Sequence, residues 1–375
     1  MKIFNRKISN GVYALSILSG TIIGVGLFSL PYITSKVGVF VILGYLLILG
    51  VIAIIIHSFF GEIALKTPDF LRLPGFAKIY LGDLGKRAAL ISTILGLFGA
   101  ILAYLIIGGE FLGSLLKPVF GGSSSIYTLF YFALGAGLIY FGIKAISKVE
   151  FWGLILFFII LILIFFRGQP FLRIENLLLI PEPGFLFLPY GAVLFSLWGA
   201  ALIPEVEEML KENKKLLRKI IPIAILIPIL VYLFFIFLIL GITGPQTTES
   251  ALIGLRNVLG DGIVSLALLF GLLTTFTSFI ALGLTLKKVF WYDLKIGRNL
   301  AWAITCFIPL FLFLIGFQSF INVISVVGGV MIGIEAILIL LMYRKVFPGK
   351  NKFLIFPLAL IFLVGIVYEI IYFVK

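Results

Sequence analysis

The chain is poor in the residues that do chemistry in water. Among 375 residues there is one cysteine, Cys306, and one histidine, His57. A lone cysteine excludes an internal disulfide and a cysteine-ligated metal cluster. A lone histidine excludes a multi-histidine metal site or a histidine relay. Acids are few and scattered singly, so no catalytic constellation forms and an enzyme is not expected. No GxxxxGK[ST] phosphate loop occurs, which argues against an ATP-driven pump. No polar stretch is long enough to make a soluble domain.

What is there is apolar. Hydrophobic residues make up 62% and charged residues 12%, with mean hydropathy +1.25. Soluble domains average roughly 45–50% apolar and about 25% charged. The apolar runs have the length of membrane-spanning helices, whereas barrel strands are shorter and alternate in polarity. The expectation is an all-α integral membrane protein. Lys2, Arg6 and Lys7 before the first run resemble a secretory signal, but the run is long and has no small-x-small cleavage site, so it reads as a permanent span.

Eleven spans are predicted, at 10–34, 38–60, 87–115, 125–143, 150–167, 185–204, 219–242, 261–286, 299–316, 320–343 and 353–373. With the N-terminus in the cytoplasm, 23 of the 29 Lys and Arg fall in inner segments, and only Lys36, Lys117, Arg167, Arg173, Arg256 and Lys375 in outer ones. A bias this strong supports the span count and a cell-membrane topology with the C-terminus outside. It also accounts for the net charge of +13 without nucleic-acid binding. An interfacial helix is expected within 61–86, and a short helical lid within 245–260.

Two spans carry breaks. The first contains SGTIIGVGLFSLPY, with Gly20, Gly24 and Gly26 followed by Pro31. The sixth reads PYGAVLFSLWGAALIPE, residues 189–205, again with small residues at mid-span and a proline near the end. Hydrocarbon offers a bare backbone no partner, so a helix interrupted there must line a cavity or be covered by protein. Interrupted spans at corresponding places in two halves point to a transporter binding site at mid-membrane. Five spans separate the breaks, an odd number, so the second half is expected to be inverted relative to the first. Close helix packing through Gly20 and Gly24 is the competing reading. It leaves Gly26 and Pro204 unexplained.

At these residues the chain resembles the amino acid–polyamine–organocation superfamily, and most of all its branch of hydroxy and aromatic amino acid permeases. The resemblance extends to LGKRAALISTILGLFGAILAYLIIGGEFL in the third span, TTFTSFIALGLTL in the eighth and GGVMIGIEAILILLMYRK in the tenth. It implies one transmembrane domain over 1–375 with the leucine-transporter-type fold. Inverted repeats would cover about 10–167 and 185–343, with an extra span at 353–373. The function it implies is secondary active symport of neutral amino acids by alternating access, driven by Na+ or H+. A passive channel and a carrier of another small organic cation stay open as alternatives. So does a metal-ion transporter, although acidic or methionine ligands are missing from the breaks.

The chemistry of the breaks gives a candidate site. N–H groups at Gly24, Val25 and Gly26, opening the second half-helix, suit a substrate carboxylate. Carbonyls near Gly20, Thr21 and Ile22 suit a cation. Carbonyls around Phe195, Ser196 and Trp198, with Gly199 beside them, suit an ammonium group. The resemblance implies that Trp198 covers the substrate as a gate. Tyr104 is a second candidate contact, because a hydroxyl in lipid needs a partner. The resemblance also implies a Na+ site formed by Thr277 and Ser278, with Thr274 close by and carbonyls from Gly20 and Ile23. Threonine and serine bonding back to their own helix is the alternative. Glu335, deep in the tenth span, and Glu205, at the inner mouth, are candidates for proton coupling or gating. His57 reads as a satisfied packing or interface residue, with pH sensing as the alternative, and Glu110 and Glu369 as outer-end acids reaching water. No charged side chain falls at the proposed site in spans 1, 3 or 6, which favours apolar, aromatic or small hydroxylated substrates. No cofactor beyond the coupling ion is expected. The expected partners are the substrate and the lipid bilayer.

Overall fold

A computed structural model describes residues 2–68, 71–142 and 146–374. Lys144 and Lys375, counted among the loop charges above, lie outside them. The described residues form helices connected by short turns, without strands. The first span is two helices, α1 (Lys2–Ile23) and α2 (Leu30–Val37), separated by a 3-10 turn. α3 (Val39–Lys66) returns to the first face. α4 (Leu73–Phe120) begins with the expected amphipathic segment, turns sharply at Gly82 (φ 76°) and then crosses as the third span. α5 (Ser124–Phe141) and α6 (Ile146–Gly168) complete the first five crossings.

The sixth span again consists of two helices, α7 (Pro189–Leu197) and α8 (Ile203–Leu210). α9 (Leu217–Thr243) follows, then the short α10 (Arg256–Leu259) where a lid was expected, and α11 (Asp261–Lys288). After α12 (Arg298–Leu314), the tenth span is α13 (Phe320–Val326) and α14 (Gly333–Val346), joined by a π-turn at Val327–Ile332. α15 (Lys352–Val374) ends the chain. Among the described residues eight segments are long and apolar enough to cross a membrane, and two shorter apolar helices occupy Ile155–Phe171 and Arg298–Leu314. The sixth span escapes a length criterion because its break divides it.

The core follows from how these helices pack. α4 lies at the centre, against α5, α11, α12 and α14, while α1 packs on α9 and α3. Tyr131, Tyr232, Phe111, Phe235 and Phe279 are fully buried between them. Outer faces expose Phe40, Phe141, Phe353 and Phe356, as the lipid-facing side of a bundle must. The segment between α6 and α7 had no predicted structure, yet it forms three 3-10 turns at Gln169–Phe171, Ile174–Leu177 and Pro183–Phe185. It is tied down by Asn176 Nδ2 donating to the Gly241 carbonyl at 2.8 Å and by the Lys36–Glu182 ion pair at 3.0 Å. Glu369 departs from its expectation. It is 2% exposed, and its side chain fills the space beside Gly191 and Gly329.

Candidate functional site

The first break is built by glycines that could not be larger. Gly24 takes φ 11°, ψ −161°, and α1 stops there. A Cβ on Gly24 would lie 2.7 Å from the Tyr104 hydroxyl and 2.9 Å from the Thr21 carbonyl; one on Gly26 would lie 2.9 Å from Ser196 Cα. The two breaks therefore touch through Gly26 and Ser196. After the break, the Ser29 hydroxyl donates to the Gly26 carbonyl at 2.7 Å and starts the second half-helix.

The exposed backbone groups of the breaks are met by side chains from other spans. The Val25 N–H donates to the Tyr104 hydroxyl at 3.2 Å, so an oxygen already stands where a substrate carboxylate was expected. The Tyr232 hydroxyl of α9 is 2.5 Å from the Ile22 carbonyl and 2.6 Å from the Ser196 carbonyl, the open ends of both first half-helices. In the sixth span the backbone opens at Trp198 (φ −92°, ψ 122°) and Gly199. The Gly199 N–H donates to His57 Nε2 at 2.9 Å, while His57 Nδ1 meets the Ala53 carbonyl at 2.7 Å. This pattern assigns the proton to Nδ1 and keeps the ring neutral, with both nitrogens satisfied.

The Trp198 indole leaves the break sideways. Its Nε1–H donates to Glu335 Oε2 at 3.0 Å, and its ring lies edge-on to His57 with centroids 4.7 Å apart. The other Glu335 oxygen accepts from the Thr93 hydroxyl of α4 at 3.2 Å. At the inner mouth Glu205 pairs with Arg72 Nε at 3.3 Å, and Glu207, 2% exposed, with Lys214 at 2.9 Å.

A cavity of about 560 Å³ adjoins the first break. Gly20, Ile23, Gly24 and Val25 form one wall and Tyr104 another. Thr274, Thr275, Thr277 and Ser278 of α11 supply hydroxyls opposite. Trp152, Leu156 and Phe157 of α6, with Phe270 and Leu273, supply the apolar remainder. Of the residues singled out from sequence, Gly20, Ile23, Gly24, Val25, Tyr104, Thr274, Thr277 and Ser278 share this cavity. Thr21, Ile22, Gly26, Phe195, Ser196, Trp198 and Gly199 lie in the breaks but do not line it. Glu335 and Glu205 stand away from it. The α6 side of the cavity had no signal in sequence, because EFWGLILFFIILILIFF is uniformly apolar and its lipid-facing and cavity-facing aromatics look alike. Tyr232 and Thr93 were likewise missed.

Two broken helices meeting at mid-bundle beside an uncharged pocket form a carrier's architecture, and the comparisons with known proteins agree. The sequence matches the tryptophan/tyrosine permease family over residues 7–373. The chain belongs to that family. It is 26% identical over 289 residues to tyrosine-specific transport system 1 of Haemophilus influenzae, covering 72% of this chain and 70% of the relative. Its fold is similar to that of Mhp1, a nucleobase-cation-symport-1 family transporter in a closed conformation with bromovinylhydantoin bound (TM-score 0.64, 14% identity, 96% of this chain and 91% of that one). It is also similar to MhsT in complex with L-phenylalanine (TM-score 0.58, 16% identity, 96% and 97%). A manganese transporter of Eremococcus coleocola gives TM-score 0.65 at 14% identity, over 98% and 88%. This permease is therefore a multi-pass, all-α membrane protein with the leucine-transporter-type fold that its motifs implied, and its relatives are carriers, not enzymes.

Proposed function

We propose that this permease imports aromatic amino acids, L-tyrosine or L-tryptophan, by symport with Na+ or H+ through alternating access. The observation that carries this reading is the cavity beside Gly24: aromatic and aliphatic on its α6 side, hydroxyl-bearing on its α11 side, and open to backbone groups of the first break. An amino acid's polar end needs the backbone and hydroxyls, and an aromatic side chain needs Phe157, Phe270 and Leu156. The family and the tyrosine-specific relative support the same substrate class. Manganese, named for one neighbour of like fold, does not suit a pocket whose described lining has no acid, histidine, cysteine or methionine.

The Na+ option rests on donor chemistry. A hard cation takes oxygen ligands. Gly20, Ile23, Thr277 and Ser278 bring carbonyls and hydroxyls to one cavity. Thr277 donates its proton to the Thr274 carbonyl at 3.0 Å, which leaves its lone pairs for a cation. In the proposed cycle the half-bundle of spans 1, 2, 6 and 7 rocks against the rest. The inverted repeats run over about 10–167 and 185–343, and the N-terminus lies on the cytoplasmic side of the cell membrane, where the basic loops collect.

The test is a thermal-shift screen of the twenty amino acids on purified protein, with and without Na+, followed by counterflow in liposomes. Tyrosine or tryptophan should raise the melting temperature and exchange across the bilayer. A preference for arginine or glutamate, or flux indifferent to any ion gradient, would refute the reading.

A further inference from the structure

Glu335 sits in the tenth span with two donors, the Trp198 indole at 3.0 Å on one oxygen and the Thr93 hydroxyl at 3.2 Å on the other. Among the described residues no lysine or arginine pairs with it. The groups on neighbouring helices are engaged elsewhere. His57 of α3 is neutral and holds the Gly199 N–H, and Glu62 of α3 pairs with Lys350 at 2.8 Å. Arg87 of α4 lies six residues before Thr93, about 9 Å nearer the inner face by helical rise. Glu369 of α15 packs on Gly329, and Arg344 and Lys345 occupy the last turn of α14. Glu335 is only partly covered by its neighbours. An acid in a span, held by two neutral donors and without a cation partner, is poised to bind a proton.

The geometry makes that exchange matter for the sixth span. An ionised carboxylate accepts from both donors, and such charge-assisted bonds are roughly twice as strong as neutral ones. The Trp198 indole N–H is a donor only. A proton placed on Oε2 faces that N–H and displaces it. A proton placed on Oε1 is tolerated, because the Thr93 hydroxyl can turn and accept it, but the Trp198 bond is then to a neutral acid and weaker. Either way, loading one proton loosens the link between the sixth-span break and α14, and losing it restores the link.

We propose that Glu335 is the proton-binding group of this permease, and that its bond to Trp198 is the latch through which proton loading frees the broken sixth span. The proposal rests on the reading of the chain as an aromatic amino acid carrier and assigns its driving ion. Na+ in the hydroxyl cluster is compatible with it but not required.

The test uses the purified full-length permease in liposomes with labelled L-tyrosine and L-tryptophan. Wild type should accumulate substrate under an imposed alkaline interior, up to about tenfold per pH unit for one proton per substrate. Glu335→Gln should lose that accumulation at least tenfold while counterflow without a gradient persists within about threefold. Thr93→Val keeps the carboxylate and removes one donor. It should move the pH of half-maximal accumulation upward by about half a unit or more, and it decides the matter if Glu335→Gln does not fold. Accumulation by Glu335→Gln equal to wild type would overturn the proposal, as would an unmoved pH profile in Thr93→Val or wild-type accumulation driven by Na+ and indifferent to pH. Loss of counterflow in a Glu335→Gln protein that melts like wild type would overturn it too. Failure of wild type itself to exchange tyrosine and tryptophan would instead refute the substrate reading.

Discussion

Replacing Tyr232 with phenylalanine removes one oxygen and leaves the ring in place. That oxygen is fully buried, 2.5 Å from the Ile22 carbonyl and 2.6 Å from the Ser196 carbonyl. Both carbonyls end a half-helix whose next turn is missing, so their helices give them no other donor. One hydroxyl proton is shared between them, and phenylalanine offers neither carbonyl a donor. A buried acceptor left without a donor costs about 1–3 kcal/mol. For a chain of this size that corresponds to a fall of about 1–4 °C in apparent melting temperature. The same loss should reach transport, because Tyr232 joins the two breaks. A coupling of about 1–3 kcal/mol between the breaks corresponds to a roughly 5–150-fold fall in uptake. Thermal shift in detergent and counterflow in liposomes, run on Tyr232→Phe beside wild type, measure the two effects. A variant with wild-type melting and wild-type counterflow would show that the bridge holds neither break, and the reasoning from unsatisfied carbonyls would fail.

Gly26→Ala should abolish counterflow and destabilise the protein by about 1–3 kcal/mol, because its new Cβ meets the Ser196 backbone; thermal shift measures the second part. If Na+ is the coupling ion, Ser278→Ala should raise the Na+ concentration for half-maximal uptake about tenfold and leave the tyrosine-induced thermal shift at saturating Na+ within about twofold. Phe157→Ala should cost about 3–5 kcal/mol if it is purely core, but should spare folding and weaken tyrosine binding if it shapes the pocket; melting and binding isotherms separate the two. At the inner surface the Glu62 carboxylate holds the Lys350 amine above its ordinary 10.5, chiefly through their hydrogen bond. A raised amine contributes stability that is complete below its unfolded value and lost as pH climbs through the folded one. Alkaline melting curves should therefore show a small decline above pH 10.5 in wild type that Lys350→Met lacks, worth at most about 1 kcal/mol for a pair this exposed.

The sequence alone determined the class, the order of the spans and the location of both breaks. Spans follow from run length and loop charge, which the bilayer imposes locally. The breaks follow from glycines and prolines, whose effect on the backbone is local as well. Hence Gly20, Ile23, Gly24, Val25, Tyr104, Thr274, Thr277 and Ser278, named from motifs, meet around one cavity. What only the tertiary structure decided is which group answers which. The family resemblance implied a gating role for Trp198, and only the tertiary structure shows its indole bonded to Glu335. The Ser196 and Ile22 carbonyls read as free, and Tyr232 of another helix fills them. Phe157 is indistinguishable in sequence from its lipid-facing neighbours, and Glu369 looks like an outer-end acid yet is buried. Each of these depends on a partner far along the chain, brought close by helix packing. Lipid and protein interior are equally apolar, so sequence hydrophobicity cannot tell which face of a span will find a neighbour.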